Sequence, residues 1–268
     1  MKKIFVTFLA ITLASLTLLL GGCSKQGAVS LNGSTSMEKV IGALSEQYMA
    51  DHKGVKVTYD ATGSGAGIEA VKNGTCDIGL ASRKLKDSET GLTVTTLAYD
   101  GIAVIVNAAC GATDLTVAQI TEVFSGEITN WNELGGEDLE IACIGRESGS
   151  GTRDGFESVT GTEGKCKLKQ ELTSTGAVIE AVKSSKNAIG YVSLSAAEGQ
   201  EGIKILTVDG VACTESTVKD GTYKISRPFN LVTKTGVSLS DEAQQFLDFA
   251  TSSAAAELIR KAGAVPAV

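Results

Sequence analysis

From residue 29 onward, short runs rich in β-branched residues alternate with segments of helical periodicity, and this alternation limits the fold more than any other feature of the chain. Strand-like runs separated by helix-length patterns form parallel sheets covered by crossover helices. The pattern predicts strands over 29–31, 55–61 and 78–81 with helices over 37–52 and 67–73 between them, one βαβαβ unit. A second unit follows, with strands over 102–107, 139–145 and 189–192 and helices over 116–124, 153–159 and 177–184. Strands over 203–208 and 223–232 come next. An amphipathic helix over 241–262, with Phe246, Phe249, Leu258 and Ile259 on its apolar side, closes the chain. At 268 residues the chain exceeds the usual size of one hydrophobic core, so two lobes are expected. Only two prolines occur and no Gly-Ser linker separates the halves, which predicts that the lobes share strands.

Composition removes several function classes. Acidic residues outnumber basic ones 31 to 24, for a net charge of -7, so no broad basic field attracts a nucleic-acid backbone. The single histidine, His52, rules out a site with two imidazoles and would have to serve any Ser-His-Asp triad. It sits in the polar segment Ala50-Asp51-His52-Lys53-Gly54, which reads as a solvated helix end. Cys76, Cys110, Cys143, Cys166 and Cys213 contain no C-x-x-C pair, so no metal site is expected. Disulfides of an exported chain and small buried thiols both remain open for them. No cofactor and no catalytic residue are expected.

Three clusters carry the functional signal: Asn32-Gly33-Ser34-Thr35-Ser36, Gly63-Ser64-Gly65-Ala66-Gly67, and Arg146-Glu147-Ser148-Gly149-Ser150-Gly151-Thr152. Each follows or adjoins a predicted strand and precedes a predicted helix. A helix start leaves N–H groups unpaired and carries about half a positive charge, glycine admits close approach to the backbone, and serine and threonine add hydroxyl donors. Taken singly, each cluster reads more readily as N-caps and turns than as a ligand site. Together they can surround one small tetrahedral anion, with Arg146 adding a forked charged contact. Nucleotide motifs fit worse: the second cluster lacks the third glycine spacing of G-x-G-x-x-G, and Gly161-Thr162-Glu163-Gly164-Lys165 is too short for a P-loop. None of the serine turns matches G-x-S-x-G.

With these clusters in place, the chain from about residue 28 to its end resembles the phosphate-binding lipoproteins, the solute receptors of bacterial phosphate ABC transporters. Gly126-Glu127-Ile128-Thr129-Asn130-Trp131-Asn132-Glu133-Leu134-Gly135, Ala188-Ile189-Gly190-Tyr191-Val192 and Ser226-Arg227-Pro228-Phe229 resemble further segments of that family in the same order. The resemblance implies a type II periplasmic-binding-protein-like α/β fold: two doubly wound lobes joined by two crossing hinge segments, closing over a phosphate ion. On this reading 29–104 with 228–268 form lobe I and 105–227 form lobe II. The carried-over ligands are Thr35, with Ser36 and Ser34 beside it, Ser64, Arg146, Ser150, Gly151 and Thr152.

The sequence departs from the family pattern at two places. Ser82, in Asp77-Ile78-Gly79-Leu80-Ala81-Ser82-Arg83, stands where the best-known members carry an aspartate that accepts a hydrogen bond from protonated phosphate. Asp100, in Tyr99-Asp100-Gly101, is the candidate replacement acceptor, with a turn role as its bland alternative and Ser82 as a weak acceptor. Ser148 replaces an aspartate thought to pair with the arginine, and Glu147 either takes over that task or points to solvent. Arg83 reads as a second positive charge or an outward salt bridge.

Lys2 and Lys3 precede an apolar run over 4–20, which reads as an export signal or a membrane anchor. Leu20-Gly21-Gly22-Cys23 resembles a lipobox, implying a signal peptide over 1–22, acylated Cys23 and a tether over 23–28. The chain is therefore expected as a monomer on the extracytoplasmic face of the bacterial cell membrane, held only by its lipid. There it passes inorganic phosphate to the membrane subunits of an ABC permease. The competing readings are a receptor for sulfate or molybdate, and a cell-surface interaction or sensor protein.

Overall fold

The computed structural model describes residues 27–268, so the expected signal peptide, Cys23 and most of the tether lie outside the described residues. The chain begins with β1 (Gly27–Gly33), α1 (Glu38–Asp51), β2 (Val55–Ala61), α2 (Ser64–Asn73) and β3 (Ile78–Ala81). β1 pairs in parallel with β2 on one side and β3 on the other. β4 (Leu92–Asn107) then runs sixteen residues and leads into β5 (Asp114–Leu115), α3 (Val117–Ser125), β6 (Ala142–Arg146), α4 (Gly151–Thr160), β7 (Gln170–Leu172), α5 (Thr175–Lys183), β8 (Ala188–Ser193) and α6 (Leu194–Ala197). The last elements are β9 (Ile203–Ile205), β10 (Thr207–Val208), α7 (Glu215–Lys219), β11 (Ser226–Lys234), α8 (Asp241–Ala250), α9 (Ala256–Lys261) and β12 (Val265–Pro266).

The sheet order is β2-β1-β3-β11-β4-β8-β6-β7, with β9 and β12 also on β4, while β5 and β10 pair separately. Two lobes arise because β4 changes partners along its length. Leu92 to Gly101 pair antiparallel with β11, and Ile102 to Val106 pair antiparallel with β8. β4 carries the chain out of the first lobe and β11 returns it to β3, so these are the two crossing segments. Each lobe has its own core. Val29, Leu31, Ile41, Leu44, Phe229, Phe246 and Ile259 pack in one. Val104, Ile105, Phe124, Trp131, Phe156 and Tyr191 pack in the other, where the Phe156 and Tyr191 rings stack with centroids 4.1 Å apart.

Several elements differ from the sequence expectation. β4 starts at Leu92 rather than 102, because Thr93, Thr95 and Thr96 pair with β11 although they interrupt the apolar run. Asp100-Gly101 is consequently mid-strand and not a turn. Gly101 is required there for space: a Cβ would stand 2.5 Å from Cys213 Sγ and 2.9 Å from Val218 Cγ2. The closing helix breaks after Ala250, where Thr251 Oγ1 donates to the Leu247 carbonyl and Ser252 Oγ to the Phe249 carbonyl. These hydroxyls occupy the carbonyls of the last turn and offer the chain a way out of the helix. The expected strand over 203–208 splits into β9 and β10, on different sheets, and β7 was not anticipated at all. All five cysteines of the described residues are free thiols.

Candidate functional site

The serine-bearing turns open helices at one edge of the interface between the lobes. β1 leads through the short turn Thr35–Met37 into α1, α2 opens on Ser64, β3 ends directly before Ser82, and α4 opens on Gly151. Their side chains meet. Ser34 Oγ lies 2.7 Å from Ser82 Oγ and 3.3 Å from Ser36 Oγ, and Ser64 Oγ lies 3.3 Å from Ser82 Oγ. Across the interface, Ser36 Oγ is 2.7 Å from Thr152 Oγ1. The whole set, with Thr35 and Ser150, is at most 5% exposed. Gly151 belongs to the same contact: a Cβ on it would stand 2.3 Å from Ser64 Oγ and 2.6 Å from Ser82 Oγ.

Ser150 is also the N-cap of α4, its Oγ accepting from the Arg153 N–H at 3.4 Å, so capping and site membership coexist in one residue. The cap leaves the hydroxyl hydrogen free, and the N–H groups of Gly151 and Thr152 have no carbonyl one turn earlier to receive them. These groups and the adjacent hydroxyls form a donor-rich patch matched to an oxyanion. Tyr59 braces the first turn, its hydroxyl donating to the Ser34 carbonyl at 2.5 Å; burial raises the phenol's pKa, keeping it a donor.

Arg146 ends β6 and is 1% exposed. Glu147 holds it in a fork, Oε2 accepting from Nε at 3.0 Å and Oε1 from Nη2 at 2.9 Å. Of the two sequence alternatives for Glu147, the structure therefore has pairing, and Ser148 is exposed. The Leu172 and Thr173 carbonyls accept further N–H groups, and Nη1 donates to Thr175 Oγ1 at 3.2 Å. Thr175 was missed in the sequence. It opens α5 behind the cap Ser174, and its Oγ1 is 3.1 Å from Thr35 Oγ1 in the other lobe. Leu172-Thr173-Ser174-Thr175-Gly176 is a fourth hydroxyl-rich strand-to-helix turn, the same signal as the other three.

The expectation that Asp100 presents an acceptor to this cluster is corrected by its partners. Asp100 Oδ1 accepts from Ser193 Oγ at 2.7 Å, and Oδ2 accepts from Arg227 Nε and Nη2 at 3.2 and 3.0 Å. Both residues are buried. Burial raises the Asp100 carboxyl above its ordinary pKa against the pull of Arg227 and lowers that of the Arg227 guanidinium. It is Arg227, missed in the sequence although its segment was noted, that reaches the cluster: Nη1 donates to Ser82 Oγ at 3.2 Å. Arg83 points away, forking onto Glu89 with both contacts at 2.7 Å, and its Nε is 2.8 Å from Asp154 of the other lobe. This inter-lobe pair borders a groove of about 570 Å³ that Arg227 and Pro228 also line.

Among the described residues, Ser64 and Ser150 have no histidine or carboxylate as a side-chain hydrogen-bond partner. His52 ends α1, its ring stacked on Tyr48 with centroids 4.0 Å apart.

Comparison with known proteins gives the family. The family model described as the PBP superfamily domain matches residues 22–254. A phosphate-binding protein PstS of Borreliella burgdorferi is 30% identical over 98% of both chains, and one of Bacillus subtilis is 29% identical over 84% of this chain and 76% of its own. Among solved structures, a putative phosphate ABC transporter substrate-binding protein of Clostridium perfringens with bound phosphate superposes with a TM-score of 0.86 at 36% identity. It covers 90% of this chain and all of its own. An ABC-type phosphate transport receptor of Vibrio cholerae gives a TM-score of 0.73 at 32% identity, covering 88% and 99%. The chain belongs to the PBP superfamily and, within it, to the family of the PstS phosphate-binding proteins.

Proposed function

We propose that the protein captures inorganic phosphate between its lobes and delivers it to the membrane subunits of an ABC permease. The observation that carries this reading is the buried meeting of Ser34, Ser36, Ser64 and Ser82 with Gly151 and Thr152 across the interface, beside the guanidinium of Arg146. Neutral donors and one held cation can replace the hydration of a small oxyanion without a mobile countercharge. The net negative charge of the chain does not oppose capture, because distant surface charges are screened beyond about 8 Å at physiological salt. The Clostridium perfringens relative, solved with bound phosphate, supports the same ligand.

In this reading Ser34, Thr35, Ser36, Ser64, Ser82, Arg146, Ser150, Gly151 and Thr152 line the phosphate, with Thr175 added. Lobe I comprises 29–104 and 228–268 and lobe II 105–227, a division supported by the partner change of β4 at Gly101 and Ile102. Cys23 carries the lipid that keeps a monomeric receptor at the extracytoplasmic face. No phosphate ester is turned over, since capture needs no covalent step. Titration calorimetry with phosphate tests the ligand: saturable binding that Arg146→Gln weakens about 10- to 100-fold is expected, the range for a hydrogen-bonded charge. No phosphate heat, or tighter binding of sulfate, contradicts it. Intact mass of the membrane-extracted protein tests the anchor, through an N-terminus at an acylated Cys23.

A further inference from the structure

We infer that Arg227, clamped in the returning strand by Asp100, is a positioning residue of the oxyanion site: it holds the Ser82 hydroxyl as a donor, so the site ranks ligands by how fully their oxygens accept hydrogen bonds. The inference rests on the phosphate reading above and adds to it a basis for selectivity. Arg227 and Asp100 are register partners in β11 and β4, the two segments that cross between the lobes. Their ion pair therefore sits at the hinge, contacting Ser82 on the lobe I side and Ser193 on the lobe II side.

A hydroxyl has one hydrogen and two lone pairs. One lone pair of Ser82 Oγ takes the Arg227 Nη1 hydrogen, and a guanidinium never gives up its proton to reverse that role. Ser34 Oγ, 2.7 Å away, is placed to fill the other, which leaves the Ser82 hydrogen for a third partner. That partner is Ser64 Oγ, 3.3 Å away, or a ligand oxygen at the α4 start, where Gly151 packs so closely that a Cβ on it would stand 2.6 Å from Ser82 Oγ. Asp100, with Oδ1 and Oδ2 both engaged, neutralises Arg227 instead of receiving a ligand proton. A protonated oxyanion therefore meets a donor at Ser82, whereas a fully ionised one meets a match. Phosphate stays ahead of sulfate because its oxygens are the more basic acceptors, by a narrower margin than a carboxylate at this position would give.

The test is titration calorimetry with phosphate and sulfate at neutral pH on wild type, Ser82→Ala, the paired variant Asp100→Asn/Arg227→Gln, and the combined triple variant. The paired change avoids leaving one buried charge alone, which is the commonest route to misfolding at such a site. The paired variant is expected to bind phosphate about 10- to 100-fold more weakly. Sulfate should lose more, raising the phosphate-to-sulfate ratio, because a released Ser82 hydroxyl can turn and accept the ligand proton. Adding Ser82→Ala removes that acceptor and should return the ratio toward its wild-type value. Wild-type phosphate affinity in the paired variant, equal weakening of both ions, or a ratio in the triple variant as high as in the paired variant would overturn the inference. Arg227→Lys keeps the charge beside Asp100 but not the Nη1 donor to Ser82, and serves if the paired variant does not fold. An unchanged ion ratio in that variant also overturns it. Wild-type protein that binds neither ion defeats the functional reading itself; wild-type binding with an unshifted ratio in the variants defeats only this one.

Discussion

Gly151 shows how closely single residues are fitted at the meeting point of the lobes. Two serine oxygens stand within 2.6 Å of where its Cβ would be, so the closed arrangement has no room for a methyl group. Gly151→Ala should leave each lobe folded and weaken phosphate binding about 10- to 100-fold, the cost of overpacking applied to closure alone. Calorimetry with a thermal melt separates the two, and undiminished affinity would mean that the lobes do not close on this residue. The thiols respond to their surroundings in a different way. Burial pushes Cys143 up to about 12, and burial with nearby acidic groups pushes Cys76 up to about 11; burial also takes Cys166 to about 11. Since the thiolate is the reactive form, native protein at pH 8 should alkylate slowly at all three and rapidly once denatured. Mass spectrometry after a timed iodoacetamide pulse reads this directly, and fast native labelling of Cys143 would contradict it.

Among the elements, the segment between β3 and β4 is secured by one carboxylate. Glu89 accepts both arms of Arg83 and the Lys86 N–H at 2.7 Å. Burial acts to raise its pKa, but these hydrogen bonds and the neighbouring charges prevail and hold it below the usual carboxylate value. A carboxyl lowered on folding contributes stability above its unfolded pKa, about 4.3, and loses it as pH falls through the folded value. Glu89→Gln should therefore flatten the fall in melting temperature below about pH 4.3, and an unchanged acid slope would show the pair contributes nothing. The parallel βαβαβ core of lobe I was legible because β1, β2 and β3 are short strand-like runs separated by helix-length segments, with glycine- and serine-rich turns after β1 and β2. The first ten residues of β4 were not, since their threonines read as polar punctuation until β11, more than a hundred residues later, supplies their partners. Arg227 was hidden for the same reason: only the long-range pairing of β4 and β11 sets it beside Asp100 and Ser82. Thr175 was legible but overlooked, as its turn has the same composition as the others.

At the scale of the whole molecule, the two lobes meet through a short series of polar contacts around the hydroxyl cluster. Gly65 N–H donates to the Gly149 carbonyl at 3.0 Å, Lys39 Nζ to the Ser195 carbonyl at 3.1 Å, and Arg83 pairs with Asp154. These contacts are polar, and the ligand is the natural source of closure free energy. Asp154→Ala should weaken phosphate binding by at most about fivefold, because the pair is partly exposed and Arg83 keeps Glu89. Small-angle scattering should show that variant more open without phosphate and as compact as wild type with it. The central claim, that hydroxyls and amides from both lobes converge on one small oxyanion, is tested most directly by a crystal structure grown with phosphate. The account predicts a phosphate enclosed by Ser34, Ser36, Ser64, Ser82, Gly151 and Thr152 with Arg146 against one oxygen. Phosphate bound elsewhere, or ordered in a cleft where these turns face apart, would contradict it.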